Sequence, residues 1–383
     1  MAPARSWTRE QLYFSGDTFF EAVLEAIGAA QHTIVFETYI FATDVLGKRV
    51  CSALVAAARR GVEVRVMVDG VGSPGWEATY GPELSSVRIK YRVFNRPPWA
   101  RWWRQSLDSP RVSSWGELLR RVNTRNHRKL VVIDGHQAFL GGMNVWGVQL
   151  ESEAGNLAWR DTGVLVEGSG VVELSSSFDL IWEGIRGRAR RLLGQLRRGQ
   201  PTHNRSEVRI NSFRKDRKRN HRLLLAQIES CKKRLWITSA YFVPPGSLLR
   251  VIAAACNRGV DVRVLVPRRS DVFFMPWATS AFYMALLRAG AAVYEYQPCM
   301  LHAKIIQGDS WAIIGSSNMN HRSILRDVEV DVVLGMDESL LQLERHYLLD
   351  LELSTRITER DYQERPLWVR FMSRLMLRIR SIL

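Results

Sequence analysis

Two short stretches place a lysine two residues after a histidine and an aspartate five residues further on. They are His127, Lys129 and Asp134 in HRKLVVIDGHQAFLGGMN, and His302, Lys304 and Asp309 in HAKIIQGDSWAIIGSSN. Each continues through apolar residues and a Gly-Gly or Gly-Ser-Ser turn to an asparagine, Asn144 or Asn318, 17 or 16 residues after its histidine. On an extended strand residues i and i+2 share a face, so each copy offers an imidazole beside an ammonium. Two copies related by duplication can set their histidines on opposite sides of one pocket, with the lysines flanking them. A tetrahedral phosphodiester suits such a pocket: the cations neutralise its non-bridging oxygens, one imidazole attacks phosphorus, and the other protonates the leaving oxygen. The lysines supply the charge that a divalent ion otherwise would, so neither metal nor cofactor is expected. Metal ligation by the histidines is disfavoured, because a neighbouring ammonium repels a cation and no acidic cluster accompanies them. A pair of core histidines with solvent-facing lysines is the bland competing reading. Asp134 and Asp309 act either in catalysis or by hydrogen-bonding the turn at the strand end, and Asn144 and Asn318 are candidates for binding substrate.

The elements that must carry these residues are themselves repeated. Asp17 can cap a helix whose apolar positions Phe20, Val23, Leu24 and Ile27 recur at three and four residues. A β-branched and aromatic strand, 33–40, then leads through Asp44 into a helix over 50–60, which Gly61 ends, and Val62, Val64, Val66 and Val68 alternate as the next strand. The order returns as a strand over 235–243, a helix over 247–257, Gly259, and a strand over 260–266. Strand, helix, strand predicts parallel βαβ units and an α/β fold, and the repeat predicts an internal duplication. Tyr39 and Tyr241 are offset by 202 residues but His127 and His302 by only 175, so the first half holds 27 extra residues just before its motif. Within that insert, 95–126, Trp99, Trp102, Trp103 and Trp115 stand among arginines, a mixture that suits base stacking, a lipid headgroup layer, or an inward-packed lid.

The 383 residues carry a formal charge of +16, which calls for an anionic partner. Between Arg186 and Arg222, 14 Lys and Arg face only Glu207 and Asp216, so +12 of that charge sits in one stretch, read as a mobile basic linker. Cys51, Cys231, Cys256 and Cys299 show neither disulfide nor zinc spacing. No apolar run reaches the roughly 18 residues of a spanning helix, and a soluble body is expected. The C-terminal stretch LWVRFMSRLMLRIRSIL sets Phe371, Met372, Leu375, Met376, Ile379, Ile382 and Leu383 on one helical face and Arg370, Arg374, Arg378 and Arg380 on the other. Such a helix lies in a membrane interface or docks on protein.

With the motifs doubled and intact, the chain resembles the phospholipase D superfamily, and its surroundings are similar to the bacterial cardiolipin synthase branch. The resemblance runs through Ser15-Gly16-Asp17, Glu37-Thr38-Tyr39-Ile40-Phe41, Asn126-His127-Arg128-Lys129, Gly141-Gly142-Met143-Asn144, Trp159-Arg160-Asp161, Ala240-Tyr241-Phe242-Val243-Pro244 and Asn318-Met319-Asn320-His321-Arg322-Ser323. It is greatest with the shorter B-type enzymes, which lack paired N-terminal membrane helices. The resemblance implies a duplicated α/β/α sandwich whose pseudo-twofold-related halves share one active site. It also implies that carboxylates downstream of each motif, here Asp161 and Glu329, orient the histidines. The implied activity is phosphatidyl transfer between two phosphatidylglycerol molecules through a phosphohistidine, with His127 expected as the nucleophile, on the cytoplasmic face of the membrane. Hydrolysis of phospholipid and cleavage of nucleic acid are the alternatives, the second disfavoured by the amphipathic C-terminus. The expected organisation is a first half over 1–185, the basic linker over 186–222, a second half over 223–365, and a membrane-associating helix over 366–383.

Overall fold

The computed structural model describes residues 6–96, 124–198 and 207–379, without the side chains of 185–198 and 379. The tryptophans and arginines of the insert between 97 and 123, with Ile382 and Leu383, therefore lie outside the described residues.

Each half begins from a strand buried on both faces. In the first, Thr33–Thr38 (β2) pairs in parallel with Glu63–Asp69 (β3), and the helix Val45–Arg59 crosses between them. That helix starts five residues earlier than its apolar pattern suggests, because the Asp44 side chain accepts from Gly47 N at 2.9 Å and caps it there. Its end at Gly61, with φ 97°, is as expected. Asp17 is not a cap: Ser15 holds that position, and Asp17 accepts from Glu151 N at 2.6 Å. The second half repeats the unit with Arg234–Ser239 (β9), the helix Gly246–Asn257 and Asp261–Pro267 (β10), again parallel.

The first sheet has seven strands in the order β1-β7-β6-β5-β2-β3-β4, where β1 is Arg9–Tyr13, β4 Lys90–Phe94, β5 Leu130–Ile133, β6 Gln137–Gly141 and β7 Gly163–Glu167. The second has eight, β15-β11-β10-β9-β12-β13-β14-β8, where β8 is Val208–Ile210, β11 Ala292–Tyr296, β12 Lys304–Gln307, β13 Ala312–Gly315, β14 Val330–Leu334 and β15 Ser354–Ile357. One core lies between the first sheet and its outer helices, around Phe19, Phe36, Leu54 and Trp76. Its counterpart in the second half surrounds Ile228, Ile237, Phe242 and Ile252. A third core is shared: Leu140, Val164, Val166 and Phe178 pack with Ala312, Ile314, Val330 and Val332, so the sheets meet face to face.

Residues around β1 are tied to the second half. Trp7 Nε1 donates to Val333 O at 3.0 Å, and Glu10 accepts from Gly335 N at 3.0 Å and Met336 N at 3.2 Å.

Two expectations need correction. The stretch 186–222 is not a mobile connection throughout: the helix Gly170–Arg198, interrupted at Gly184 with φ 65°, enters it, and β8 and the helix Arg214–Ser230 leave it as parts of the second half. Its charges mislead because β8 gains neighbours from the sheet edge, pairing with β14, while Leu224 and Ile228 bury one face of the helix. In the C-terminal helix, Leu367–Ile379, the apolar face is divided. Met372 and Met376 pack into the second core and Ser373 Oγ meets Ser280 Oγ at 2.8 Å, whereas Leu367, Trp368, Phe371 and Leu375 are exposed. Among the described residues no helix is long and apolar enough to cross a membrane.

The structure gives Asp134 and Asp309 the structural one of their two candidate roles, at the end of the motif strand away from the histidine. Asp134 accepts backbone N–H groups of Gln31, His32 and Thr33 at 2.9, 2.7 and 2.8 Å. Asp309 accepts those of Lys232, Lys233 and Arg234 at 2.8, 3.0 and 2.9 Å. Each thus clasps the entry of the central parallel strand to the motif strand. Burial works against the two charges, but the backbone donors outweigh it and hold both carboxyls below their usual range. Asp134→Ala and Asp309→Ala should each lower unfolding stability by about 2 kcal/mol, measured by urea denaturation at neutral pH. Because the folded-state pKa is depressed, the difference from wild type should shrink as pH falls below about 4. A difference of the same size at pH 3 would refute the clasp.

Candidate active site

Each histidine is placed by the main chain of the other half. His127 N donates to Val328 O at 2.9 Å, while Val328 N donates to Arg125 O at 2.9 Å. In the mirror arrangement His302 N donates to Arg160 O at 2.7 Å, and Arg160 N to Met300 O at 2.9 Å. These make two short parallel bridges, Asn126 with Val328 and Leu301 with Arg160. The next residue on each partner segment is a carboxylate, so Glu329 and Asp161 are delivered to the histidine across the pseudo-twofold axis. Asp161 Oδ2 stands 2.6 Å from His302 Nδ1, and Glu329 Oε2 stands 3.3 Å from His127 Nδ1. The carboxylate lying downstream of one motif therefore serves the other. Nothing in linear order distinguishes these pairings.

The lysines fold back on their own motifs. Lys129 Nζ donates to His127 O at 2.8 Å, and Lys304 Nζ donates to His302 O and lies 2.8 Å from His302 Nδ1. The strands begin only at Leu130 and Lys304, so the histidines precede the regular strand and are held by the cross-half bridges instead. All four side chains are enclosed. His302 Nδ1 is directed at Asp161, and His127 Nδ1 at Glu329 and, equally at 3.3 Å, at Ser316 O, which leaves each Nε2 for substrate.

Electrostatics make the two sides unequal. Burial, followed by Lys129 and Lys304, pushes His127 well below its ordinary value. Burial and then Lys304 also lower His302, with Asp161 opposing. Burial pushes Asp161 up, but Lys304 and His302 outweigh it and hold the carboxyl below its usual range, so it is ionised. Glu329 instead rises to about 7: its burial outweighs Lys129 and the Ser316 hydroxyl, which donates to Oε2 at 2.5 Å. Burial and the other lysine bring Lys129 down to about 7, and burial brings Lys304 to about 8, against the pull of Asp161 and Glu329. The crossed contacts, Asp161 with His302 and Glu329 with His127, bring both motifs to one site. Among the described residues no cluster of three or more His, Cys, Asp and Glu is arranged to hold a metal ion.

Asn144 and Asn318 are both buried beside the motifs, with different occupations. Asn144 Oδ1 accepts from Ile40 N at 3.0 Å and fixes the end of β2, while Asn318 Oδ1 is buried without a partner. Asp134 and Asp309 stand roughly 20 Å from the histidines of their own motifs by strand rise alone. Sequence reasoning assigned no role to several side chains around the rings. Tyr39 lies 4.8 Å from His127, and Trp159 and Tyr241 lie 5.0 and 6.4 Å from His302, measured between ring centres. Beneath His127, Arg128 is fully buried against Glu37, 3.3 Å away, and Asn126 Nδ2 donates to Glu37 Oε1 at 2.6 Å. The signal for this network was the contrast of Asn-His-Arg-Lys with Leu-His-Ala-Lys in the second copy.

Comparison with known proteins agrees with this construction. The family described as cardiolipin synthase, phospholipase D-like domain, matches residues 23–166 and 224–349, one segment in each half. Cardiolipin synthase 1 of Bacillus anthracis is 31% identical over 397 aligned residues, covering 100% of this chain and 74% of the relative. Cardiolipin synthase of Alkalihalophilus pseudofirmus is 34% identical over 363, covering 93% and 69%. Among solved structures, phosphatidylserine synthase of Haemophilus influenzae superposes with a TM-score of 0.67 at 15% identity, covering 98% of this chain and 95% of that one. Polyphosphate kinase of Porphyromonas gingivalis superposes with 0.60 at 13%, covering 99% and 54%. These two likenesses concern the fold. On its motifs, its duplicated architecture and its relatives, the chain belongs to the phospholipase D-like cardiolipin synthase family.

Proposed function

We propose that the protein is a phosphatidyltransferase that makes cardiolipin from two phosphatidylglycerol molecules and releases glycerol. The observation that carries this is the reciprocal pair of carboxylate-oriented histidines between two lysines, in a chain whose relatives over most of its length are cardiolipin synthases. In the first half-reaction Nε2 of one histidine attacks the phosphorus of phosphatidylglycerol. The N–P bond forms, the P–O bond to glycerol breaks, and the second histidine gives its proton to the departing oxygen. In the second, that histidine takes the proton from a hydroxyl of another phosphatidylglycerol, whose oxygen attacks phosphorus as the N–P bond breaks. Lys129 and Lys304 stabilise the charge on the non-bridging oxygens throughout.

The inequality of the two sides supports His127 as the nucleophile. An ionised carboxylate favours a protonated imidazole, and Asp161 gives His302 that partner at 2.6 Å. His127 faces Glu329, which burial raises to about 7, and burial with Lys129 and Lys304 pushes the ring itself well below its ordinary value, so it keeps its lone pair. Asp161 and Glu329 act as positioning residues, Asn318 as a candidate contact to substrate, and Asn144 by holding β2.

Exposed Leu367, Trp368, Phe371 and Leu375, beside Arg374 and Arg378, suit the interface of an anionic membrane. Trp368 meets Trp277 at 5.8 Å, Trp277 meets Phe273 at 6.0 Å, and Phe273 is 77% exposed, so the apolar surface continues from the helix to the loop after Asp271. Asp271 accepts from the Tyr241 hydroxyl at 2.7 Å, which brings this surface towards His302. The enzyme is read as peripheral, on the cytoplasmic face.

His127→Ala and His302→Ala should each reduce cardiolipin formation from phosphatidylglycerol vesicles by at least about a thousandfold, read by mass spectrometry of the lipids. A phosphohistidine peptide at position 127, recovered under acid-free conditions, is expected in His302→Ala given a donor with an activated leaving group. Wild type that makes chiefly phosphatidic acid, or that cleaves single-stranded DNA faster than lipid, would replace the transferase reading.

The lysines must be charged to serve. kcat/KM should therefore fall as pH rises through about 7 to 8, the range of Lys129 and Lys304 in the free enzyme. Lys129→Arg should lower the maximum and move the alkaline limb upward. A profile flat to pH 9.5 on a soluble short-chain substrate would contradict this assignment.

Trp368→Glu with Phe371→Glu should release the protein from liposomes rich in phosphatidylglycerol while its melting temperature stays within a few degrees, since neither side chain is in the core. Deletion of the whole helix is the poorer test, because it also strips Met372 and Met376 from the second core. Undiminished flotation of the double variant would place the anchor elsewhere.

A further inference from the structure

The duplication supplies an internal comparison at each position. Strand register equates Tyr13 with Arg209, Gly163 with Asp331, and Phe139 with Ile313, because Tyr13 pairs with Gly163 and Arg209 with Asp331. The turns after β6 and β13 likewise equate Met143 with Ser317. In the outer helices buried Val23 and Ile27 match buried Leu224 and Ile228, which equates Phe19 with Asn220 and Phe20 with His221. In the first half these positions form a solid aromatic cluster: Phe19 lies 5.7 Å from Tyr13, 6.1 Å from Phe139 and 5.3 Å from Phe20 between ring centres. A Cβ on Gly163 would come within 2.4 Å of the Phe19 ring.

In the second half the same space is a cavity of about 50 Å³. Its polar wall is Arg209, Asn211, Arg217, Asn220, His221 and Asp331. A water needs roughly 10–15 Å³ measured in this way, so the cavity has room for a group of a few heavy atoms. Arg209 donates to Gln227 Oε1 at 3.2 Å and Arg217 to Asn211 O at 3.1 Å, with Asp331 and Glu173 near the first guanidinium and Asp216 and Asp327 near the second. Asp331, opposite Arg209 in register, gives its oxygens to Ser317 N at 3.0 Å and Ser317 Oγ at 2.6 Å. Arg217 Nε and His221 Nδ1 are buried without partners, while His221 Nε2 is held by Ser247 Oγ at 2.8 Å. Enclosing guanidinium and imidazole donors in this way costs stability unless something accepts from them. The first half shows that the fold has no need of them there.

We propose that this cavity is a second oxyanion site that takes a phosphate-class group. Lys304 lines it, although its ammonium is turned to His302, and so forms the wall shared with the catalytic pocket. Two planar guanidinium forks and His221 Nδ1 match the tetrahedral array of phosphate acceptors, while Asn220 Nδ2 is engaged with Ile210 O at 2.9 Å and Asn211 Oδ1 at 2.8 Å. The group is either free inorganic phosphate or the phosphate of a lipid headgroup.

The test is thermal melting of the full chain titrated with inorganic phosphate, comparing wild type, Lys129→Ala and Arg217→Gln. Stabilisation by phosphate should survive Lys129→Ala, which weakens only the catalytic pocket, and should lose about tenfold or more in apparent affinity in Arg217→Gln. Absence of stabilisation in wild type would overturn the proposal and leave a water-filled cavity. So would stabilisation that Lys129→Ala abolishes and Arg217→Gln leaves intact. Should Arg217→Gln fail to fold, Asn220→Phe with Asp331→Gly installs the first half's packing, and phosphate must then cease to stabilise the Lys129→Ala background. Steady-state rates on phosphatidylglycerol vesicles separate the sources: a headgroup site gives Arg217→Gln a raised KM at unchanged kcat, and a free-phosphate site leaves both unchanged. The melts do not depend on which product the vesicles yield, so the proposal and the transferase reading fail separately.

Discussion

Burying a histidine between two lysines is expensive, and the carboxylate that each half lends to the other's imidazole is what makes the arrangement tenable. Four cations or potential cations share one enclosed site, where the two lysines lower both imidazoles' affinity for protons and Lys304 lowers that of Lys129. Asp161 and Glu329 offset that repulsion and fix the ring tautomers. Both depend on the two short main-chain bridges that align Arg160 with Leu301 and Val328 with Asn126. The shared core between the sheets sets the distance at which those bridges form. Arg160 adds a bidentate pair to Asp350, at 3.0 and 2.9 Å, and locks the same junction from the side.

Within this twofold frame the halves have diverged chemically. Below His127 lies a buried ion pair, Arg128 with Glu37, whereas the corresponding residues below His302 include Ala303 and Thr238, which carry no charge. An aspartate held below the usual carboxyl range backs one imidazole, and a glutamate raised to about 7 backs the other. A symmetric site would make attack and protonation interchangeable between the histidines; this asymmetry supports the proposed division of tasks between them. The same divergence turns an aromatic core at Phe19 into a polar cavity at Asn220.

The sequence made the motifs, the duplication and the parallel βαβ units legible because each is a local pattern. Alternation over Val62 to Val68 and the glycines at 61 and 259 were sufficient to place strands and helix ends. The family likeness further directed attention to Asp161 and Glu329. Their crossed assignment was not legible, since it arises from main-chain bridges between segments 141 and 202 residues apart. Charge density misled at 214–222, where a helix with only Leu224 and Ile228 buried is retained by the sheet beneath it. Periodicity likewise gave the C-terminal helix a single apolar face. It could not divide Met372 and Met376, which enter the core, from Phe371 and Leu375, which do not. For Asp134 and Asp309 the sequence left catalysis and a strand-end turn as alternatives, because it does not show that seven residues along an extended strand carry a side chain out of the site.

The tie between the first strand region and the second half has a consequence for synthesis. Trp7, just before β1, and Glu10 within it find the carbonyl of Val333 and the amides of Gly335 and Met336 some 325 residues later, and β7 presents Val164 and Val166 to a sheet that has yet to be made. A nascent chain bearing only the first half therefore leaves the ribosome with an uncovered apolar sheet face and an unfinished edge. It must wait, exposed, until β14 emerges. Chaperone demand should be concentrated in that interval, and translation speed between the two motifs becomes a determinant of yield.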